Sequence, residues 1–261
     1  MGHVRLSRLP RTKQWKEVVN LLNSGKFSVQ EIAEASANAA NKVLQNAAKD
    51  PVLNEVFKLL CLLPRAAKEN DMQKSFSNLG IITPKKPTLP EIIQGFVNRV
   101  NELQASDKNG RTDIGEMAKQ VGASVLIEKI EKNSSQLWEP SPDDIRHGLA
   151  KLSDPARFAD MAQNFLSSLT GKILRYYLDR EIPKHISASE GFSSIQDMRT
   201  FNKALEIHCV ETSFIMRAFA KDWYGKTYAY YDEIDDKKAR GFIYIATNKI
   251  VKELAIRGKN A

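Results

Sequence analysis

Between positions 154 and 223 the chain carries an apolar residue at every third or fourth place, and few architectures accommodate so long a run of that period. Asp154-Pro155 reads as an N-cap followed by proline at the first helical position, where its missing N–H costs nothing. Phe158, Ala162, Phe165, Leu169, Ile173 and Tyr176 then fall on one face of a helix. Pro183 ends that helix near Ile182, and Ser187, Ser189 and Gly191 turn the chain. A second helix is predicted over 194–223, with Met198, Phe201, Leu205, His208, Thr212, Ile215 and Phe219 along its inner stripe. Helices of roughly 28 and 30 residues reach about 42–45 Å, so a long hairpin over 155–223 is the expected core.

Shorter helices of the same kind fill the rest. Trp15, Val18, Val19 and Leu22 make one apolar face. Ser28-x-x-Glu31 and Thr88-x-x-Glu91 have the form of capping boxes, Asp50-Pro51 and Ser141-Pro142 of cap plus first residue, and Asp235 of a cap for the last helix. Pro64 and Gly80 are expected as helix stops, and the proline-rich stretch 81–90 as a loop. Strand-like patterning is confined to Ile81-Ile82 and the tyrosine-rich segment 224–231. The fold class is therefore all-α, a bundle of about nine or ten helices built around the hairpin. The polar stretch 106–110 suggests an N-terminal helical region (1–109) and a C-terminal bundle (110–261). The alternative is one continuous helical domain.

A chain of 261 residues with 42% hydrophobic content can bury a substantial core. No apolar run approaches the ~18 residues of a membrane span, and positions 1–16 lack the apolar centre of a secretory signal, so no membrane partner is expected. Cys61 and Cys209 sit within apolar helical patterns and read as buried thiols of a cytoplasmic protein.

The formal net charge of +8 is unevenly placed. Acids and bases balance across 154–223, whereas 1–50 and 224–261 carry an excess of lysine and arginine. Arg5, Arg8, Arg11, Lys13 and Lys16 form a basic arm with no acid before Glu17. Guanidinium groups bind phosphate bidentately, and such a run fits a nucleic acid or an acidic protein surface. Val4, Leu6 and Leu9 lie between the arginines and allow a second use, insertion into a neighbouring protein.

Patterns that would carry chemistry lack the context they need. Ala220-Lys221-Asp222-Trp223-Tyr224-Gly225-Lys226-Thr227 satisfies a loose phosphate-loop pattern. A phosphate loop follows a strand, however, and here a helix precedes. His3, His147, His185 and His208 have no second ligand at metal-binding spacing, so neither metal nor cofactor is expected. Tyr224, Tyr228 and Tyr230, interleaved with Lys226, could stack on unpaired bases. The stretch Arg180-Glu181-Ile182-Pro183-Lys184-His185 resembles the short Arg-x4-His signature of HEPN ribonucleases, although Pro183 interrupts it and Glu181 follows the arginine. That resemblance implies metal-independent RNA cleavage of a toxin or defence type, with Arg180 stabilising the pentavalent phosphate and His185 moving a proton.

The function expected from the sequence is a non-enzymatic helical binding or assembly subunit, a homo- or hetero-oligomer, docking on nucleic acid or an acidic protein through Arg5, Arg8, Arg11, Lys13 and Lys16. The alternatives are the ribonuclease built on Arg180 and His185, and a purely structural subunit of a protein complex.

Overall fold

The computed structural model describes residues 13–24, 28–106, 111–134, 139–181, 186–187, 190–191, 195–230 and 234–258. Over these the chain is all-α. The helices are α1 (Lys13–Ser24), α2 (Val29–Ala47), α3 (Pro51–Ala66), α4 (Met72–Asn78), α5 (Leu89–Ser106), α6 (Asp113–Asn133) and α7 (Pro142–Lys151). They continue with α8 (Pro155–Glu181), α9 (Ile195–Ser213), α10 (Ile215–Tyr230) and α11 (Asp236–Gly258). The strand pairing among the described residues is a minimal antiparallel hairpin, β1 (Ile186–Ser187) with β2 (Glu190–Gly191). Neither segment with strand-like patterning is a strand: Ile81-Ile82 lies in a loop, and the tyrosine-rich segment continues α10 as far as Tyr230.

Most helix starts follow the sequence closely, because a side chain there satisfies free backbone N–H groups. Asp50 accepts from Val52 and Leu53 N–H at 2.9 and 3.0 Å, and Asp154 accepts from Ala156 and Arg157. Ser28 with Glu31 and Ser141 with Asp144 form reciprocal capping boxes. The stops follow less closely. Pro64 does not end α3, which runs on to Ala66. Its missing N–H deprives only the Leu60 carbonyl, in the last turn, while the ring is buried. The helix expected before Gly80 is shorter than its pattern, Met72–Asn78, and ends in a Schellman motif. Gly80 N–H bonds the Ser77 carbonyl and Ile81 N–H the Phe76 carbonyl, both at 2.9 Å, with Gly80 at φ +74°.

The hairpin is not two helices but three. α8 runs as expected, with Phe158, Ala162, Phe165, Leu169 and Ile173 all buried. Its return partner breaks between Ser213 and Ile215. Thr212 Oγ1 donates to the His208 carbonyl and Ser213 Oγ to the Val210 carbonyl, at 2.9 and 2.6 Å. Phe214 N–H then bonds Glu211 rather than Val210. Hydroxyls competing for i−3 and i−4 carbonyls in consecutive residues interrupt the ladder. The phase shifts there, so that Met216 rather than Ile215 enters the core and Ile215 is left 44% exposed.

α8 packs chiefly against α10 and α9, and also against α6 and α2. The second buried axis is α3, which touches α6, α11, α7 and α5 and buries most of its side chains from Val52 to Ala66, with Lys58, Leu62 and Arg65 half-buried along one stripe. Aromatic rings join the two axes: Phe57 of α3 meets Phe158 and Phe165 of α8 at 6.2 and 6.5 Å. Stacked rings tie each axis to a neighbour, Phe57 on Phe242 of α11 at 4.5 Å and Phe158 on Tyr224 of α10 at 3.9 Å. The buried apolar side chains form one cluster from Trp15 to Leu254, so helices on both sides of position 110 share it.

Candidate functional site

The basic run meets the described structure at α1. Trp15, Val18 and Leu22 are buried against the body, which turns Lys13 and Lys16 outward, both exposed. Two lysines three residues apart lie on neighbouring positions of one helix face. Glu17 shares that outer side and closes the basic stretch. Arg5, Arg8 and Arg11 lie outside the described residues.

Tyr224 and Tyr228 do not offer a shared open stacking face. Because α10 continues through the segment, its rings follow helical spacing. Tyr224 points inward: it is fully buried, its hydroxyl donates to the Cys61 carbonyl at 3.1 Å, and burial pushes its pKa far up. Stacking on a base would require pulling it out of the core. Tyr228 is 38% exposed, but the Arg65 guanidinium lies 4.2 Å from its ring centre. The side chain of Tyr230 lies outside the described residues. The phosphate-loop pattern falls on the same helix, where Thr227 is buried, so no loop exists to cradle a phosphate.

Arg180 stands in the last turn of α8. Its Nη2 donates to the Tyr176 hydroxyl at 2.6 Å and its guanidinium covers that ring at 4.0 Å. Tyr176 in turn donates to Asp113 Oδ2 at 2.7 Å, at the start of α6. The arginine thus ends a chain that ties α8 to α6. His185, its partner in the Arg-x4-His stretch, lies outside the described residues.

His208 is buried in α9, and His147 Nδ1 is hydrogen-bonded to the Asp143 carbonyl within α7. Both cysteines are buried thiols, and burial pushes Cys209 up to about 12 and Cys61 well above its ordinary value. Among the described residues no group of three or more His, Cys, Asp or Glu side chains could hold a metal ion.

Three features escaped the sequence reading. A cleft of about 560 Å3 opens between α3, the turn after α4, α5 and the start of α11. Glu55 sits in its wall, 6% exposed, and its Oε1 accepts from Arg99 Nε and Nη2 at 3.1 and 2.9 Å. Lys58 bridges Glu55 and Asp236, at 2.7 Å to each. Burial alone would lower the Lys58 pKa, but the hydrogen bonds and charges of Asp236 and Glu55 outweigh it and raise the value. Glu55, Arg99, Lys58 and Asp236 thus each meet an opposite charge within the chain, which makes the cluster a clamp between α3, α5 and α11.

A second ionic cluster joins α6, α8 and α10. Lys129, 4% exposed in its side chain, contacts Asp160 at 2.8 Å, and Arg217 contacts the same carboxylate at 2.5 Å and the Gln163 amide oxygen. The third feature is apolar and exposed. At the α9–α10 corner Ile207, Val210, Phe214 and Ile215 are 50%, 36%, 46% and 44% exposed. Their three- and four-residue spacings were visible in the sequence, but spacing alone does not separate a second outward stripe from the inner one.

Compared with models of known protein families, with curated proteins and with solved structures, the chain matches none.

Proposed function

We propose that this chain is a non-enzymatic helical binding subunit that engages the phosphate backbone of a nucleic acid through its basic N-terminal run. The observation that carries the reading is the orientation of α1. Its apolar face is locked into the core, so Lys13 and Lys16 are held outward from a fixed helix, directly after Arg5, Arg8 and Arg11 in the sequence. A cation on an ordered helix binds phosphate with less loss of freedom than one on a free tail. Phosphate contacts of this kind fix position without reading sequence, so the expected binding is indifferent to base sequence. The Arg180 guanidinium is engaged by Tyr176, whose hydroxyl in turn bonds Asp113, so nothing around it favours the ribonuclease reading.

The test is a titration of fluorescently labelled single- and double-stranded oligonucleotides. Wild-type protein is expected to raise the anisotropy with any sequence, and Arg5→Ala/Arg8→Ala/Arg11→Ala to abolish most of the change. Binding that is unaltered in the triple variant would overturn the reading. An acidic protein in place of nucleic acid would show as no oligonucleotide binding by either protein.

A further inference from the structure

The outward face of α9 carries two features that together specify an occupant. The first is a seam: Lys203, Ile207 and Val210 of α9 and Phe214, just past its end, follow at spacings of four, three and four, the pattern with which one helix packs along another. All four are exposed, although the inner face of the same helix buries Phe201, Leu205 and Cys209. From Ile207 to Phe214 the seam runs about 10 Å along the axis. The second feature is the placement of charge. Lys203 lies four residues before Ile207 and Glu211 four residues after it, so base, isoleucine and acid share one ridge. Both charged residues are exposed, and Lys203 has no ion pair or hydrogen bond among the described residues.

We propose that this face is a two-fold contact between two copies of the chain, centred on Ile207. A two-fold axis through Ile207 runs the two α9 helices antiparallel and carries Lys203 of each copy onto Glu211 of the other. Both salt bridges form at once, and Ile207 meets Ile207. The same operation sets Val210 against Ala204 of the second copy, a small, half-buried residue that leaves room for it. Phe214 meets Thr200, whose hydroxyl is already bonded to the Gln196 carbonyl at 3.0 Å. A surface that is complementary to itself in charge is what an isologous contact requires. The contact is small, one helix face from each copy, below the ~800 Å2 per partner of a standard stable interface, so a reversible dimer is expected. This inference is independent of nucleic-acid binding, because it involves neither α1 nor the basic arm.

Sedimentation velocity from low micromolar to several hundred micromolar tests it. The wild-type chain should move from one-chain to two-chain mass with rising concentration, and Ile207→Asp should stay at one-chain mass with an unchanged helical circular dichroism signal. Lys203→Glu and Glu211→Lys each set like charges together and should weaken dimerisation by about tenfold or more. Combining them in one chain restores opposite charges across the axis and should recover the wild-type constant. A wild-type chain that remains monomeric at the highest concentration, or a dimer indifferent to Ile207→Asp, would overturn the proposal. So would a double variant no better than the single ones.

Discussion

Two residues show most directly how local chemistry holds this fold. Gly80 is left-handed at φ +74°, and a Cβ there would stand 2.8 Å from Arg99 Cδ. Both the backbone and the arginine of the Glu55 clamp therefore require glycine. Gly80→Ala should cost about 1–2 kcal/mol, the penalty of placing an L side chain in the left-handed region, read as a lower urea midpoint with unchanged slope. An unchanged midpoint would contradict the account. Asp160 is a second such residue. Burial would raise its pKa, but the hydrogen bond from Lys129 and the charges of Lys129, Arg217 and Lys132 outweigh burial and hold it below the ordinary value. A carboxyl with a depressed folded pKa gives stability that is present above its unfolded value of about 3.9 and is lost as pH falls through the folded one. Asp160→Asn should therefore be less stable than wild type at neutral pH, with the gap closing below about pH 4. A gap that stays constant on acidification would show that the carboxylate charge contributes nothing. The sequence foretold Gly80 as a stop, because glycine after a periodic run is a local signal. Neither ion cluster was legible, since Glu55 with Arg99 and Lys129 with Asp160 meet only through the tertiary fold.

Among the elements, starts were read more faithfully than ends. A cap such as Asp50 or Ser28 acts on N–H groups two or three residues away, so its signature is local. Where α9 yields to α10 the decision belongs to Thr212 and Ser213 hydroxyls competing for carbonyls, and their composition alone does not reveal it. The tyrosine-rich segment misled for a related reason. Aromatic residues are favoured in strands, but here Phe158 stacks on Tyr224, and packing overrode that preference. The inner stripe of α9 upstream of the break was legible, and Leu205 on it is fully buried. Leu205→Ala should remove about 2–5 kcal/mol, measured by chemical denaturation. A loss below ~0.5 kcal/mol, the size usual at surface positions, would place this residue outside the core.

For the whole molecule, α3 and α8 serve as two buried axes around which the remaining helices close. The hairpin periodicity pointed to α8. The role of α3 was hidden because its pattern marks it as a helix but does not say that other helices close around it; that emerges only from the tertiary fold. Lys13 and Lys16 are exposed on α1, and the proposed phosphate-binding run to which they belong is the centre of the functional account. Its most direct test is the salt dependence of nucleic-acid binding. Each phosphate contact releases counterions, so the slope of log affinity against log salt steepens by about 0.9 per contact on duplex DNA and about 0.7 on a single strand. The account predicts a wild-type slope that flattens by about 2–3 in Arg5→Ala/Arg8→Ala/Arg11→Ala and by a further ~1–2 when Lys13→Ala and Lys16→Ala are added. A slope that is the same in all three proteins would contradict it.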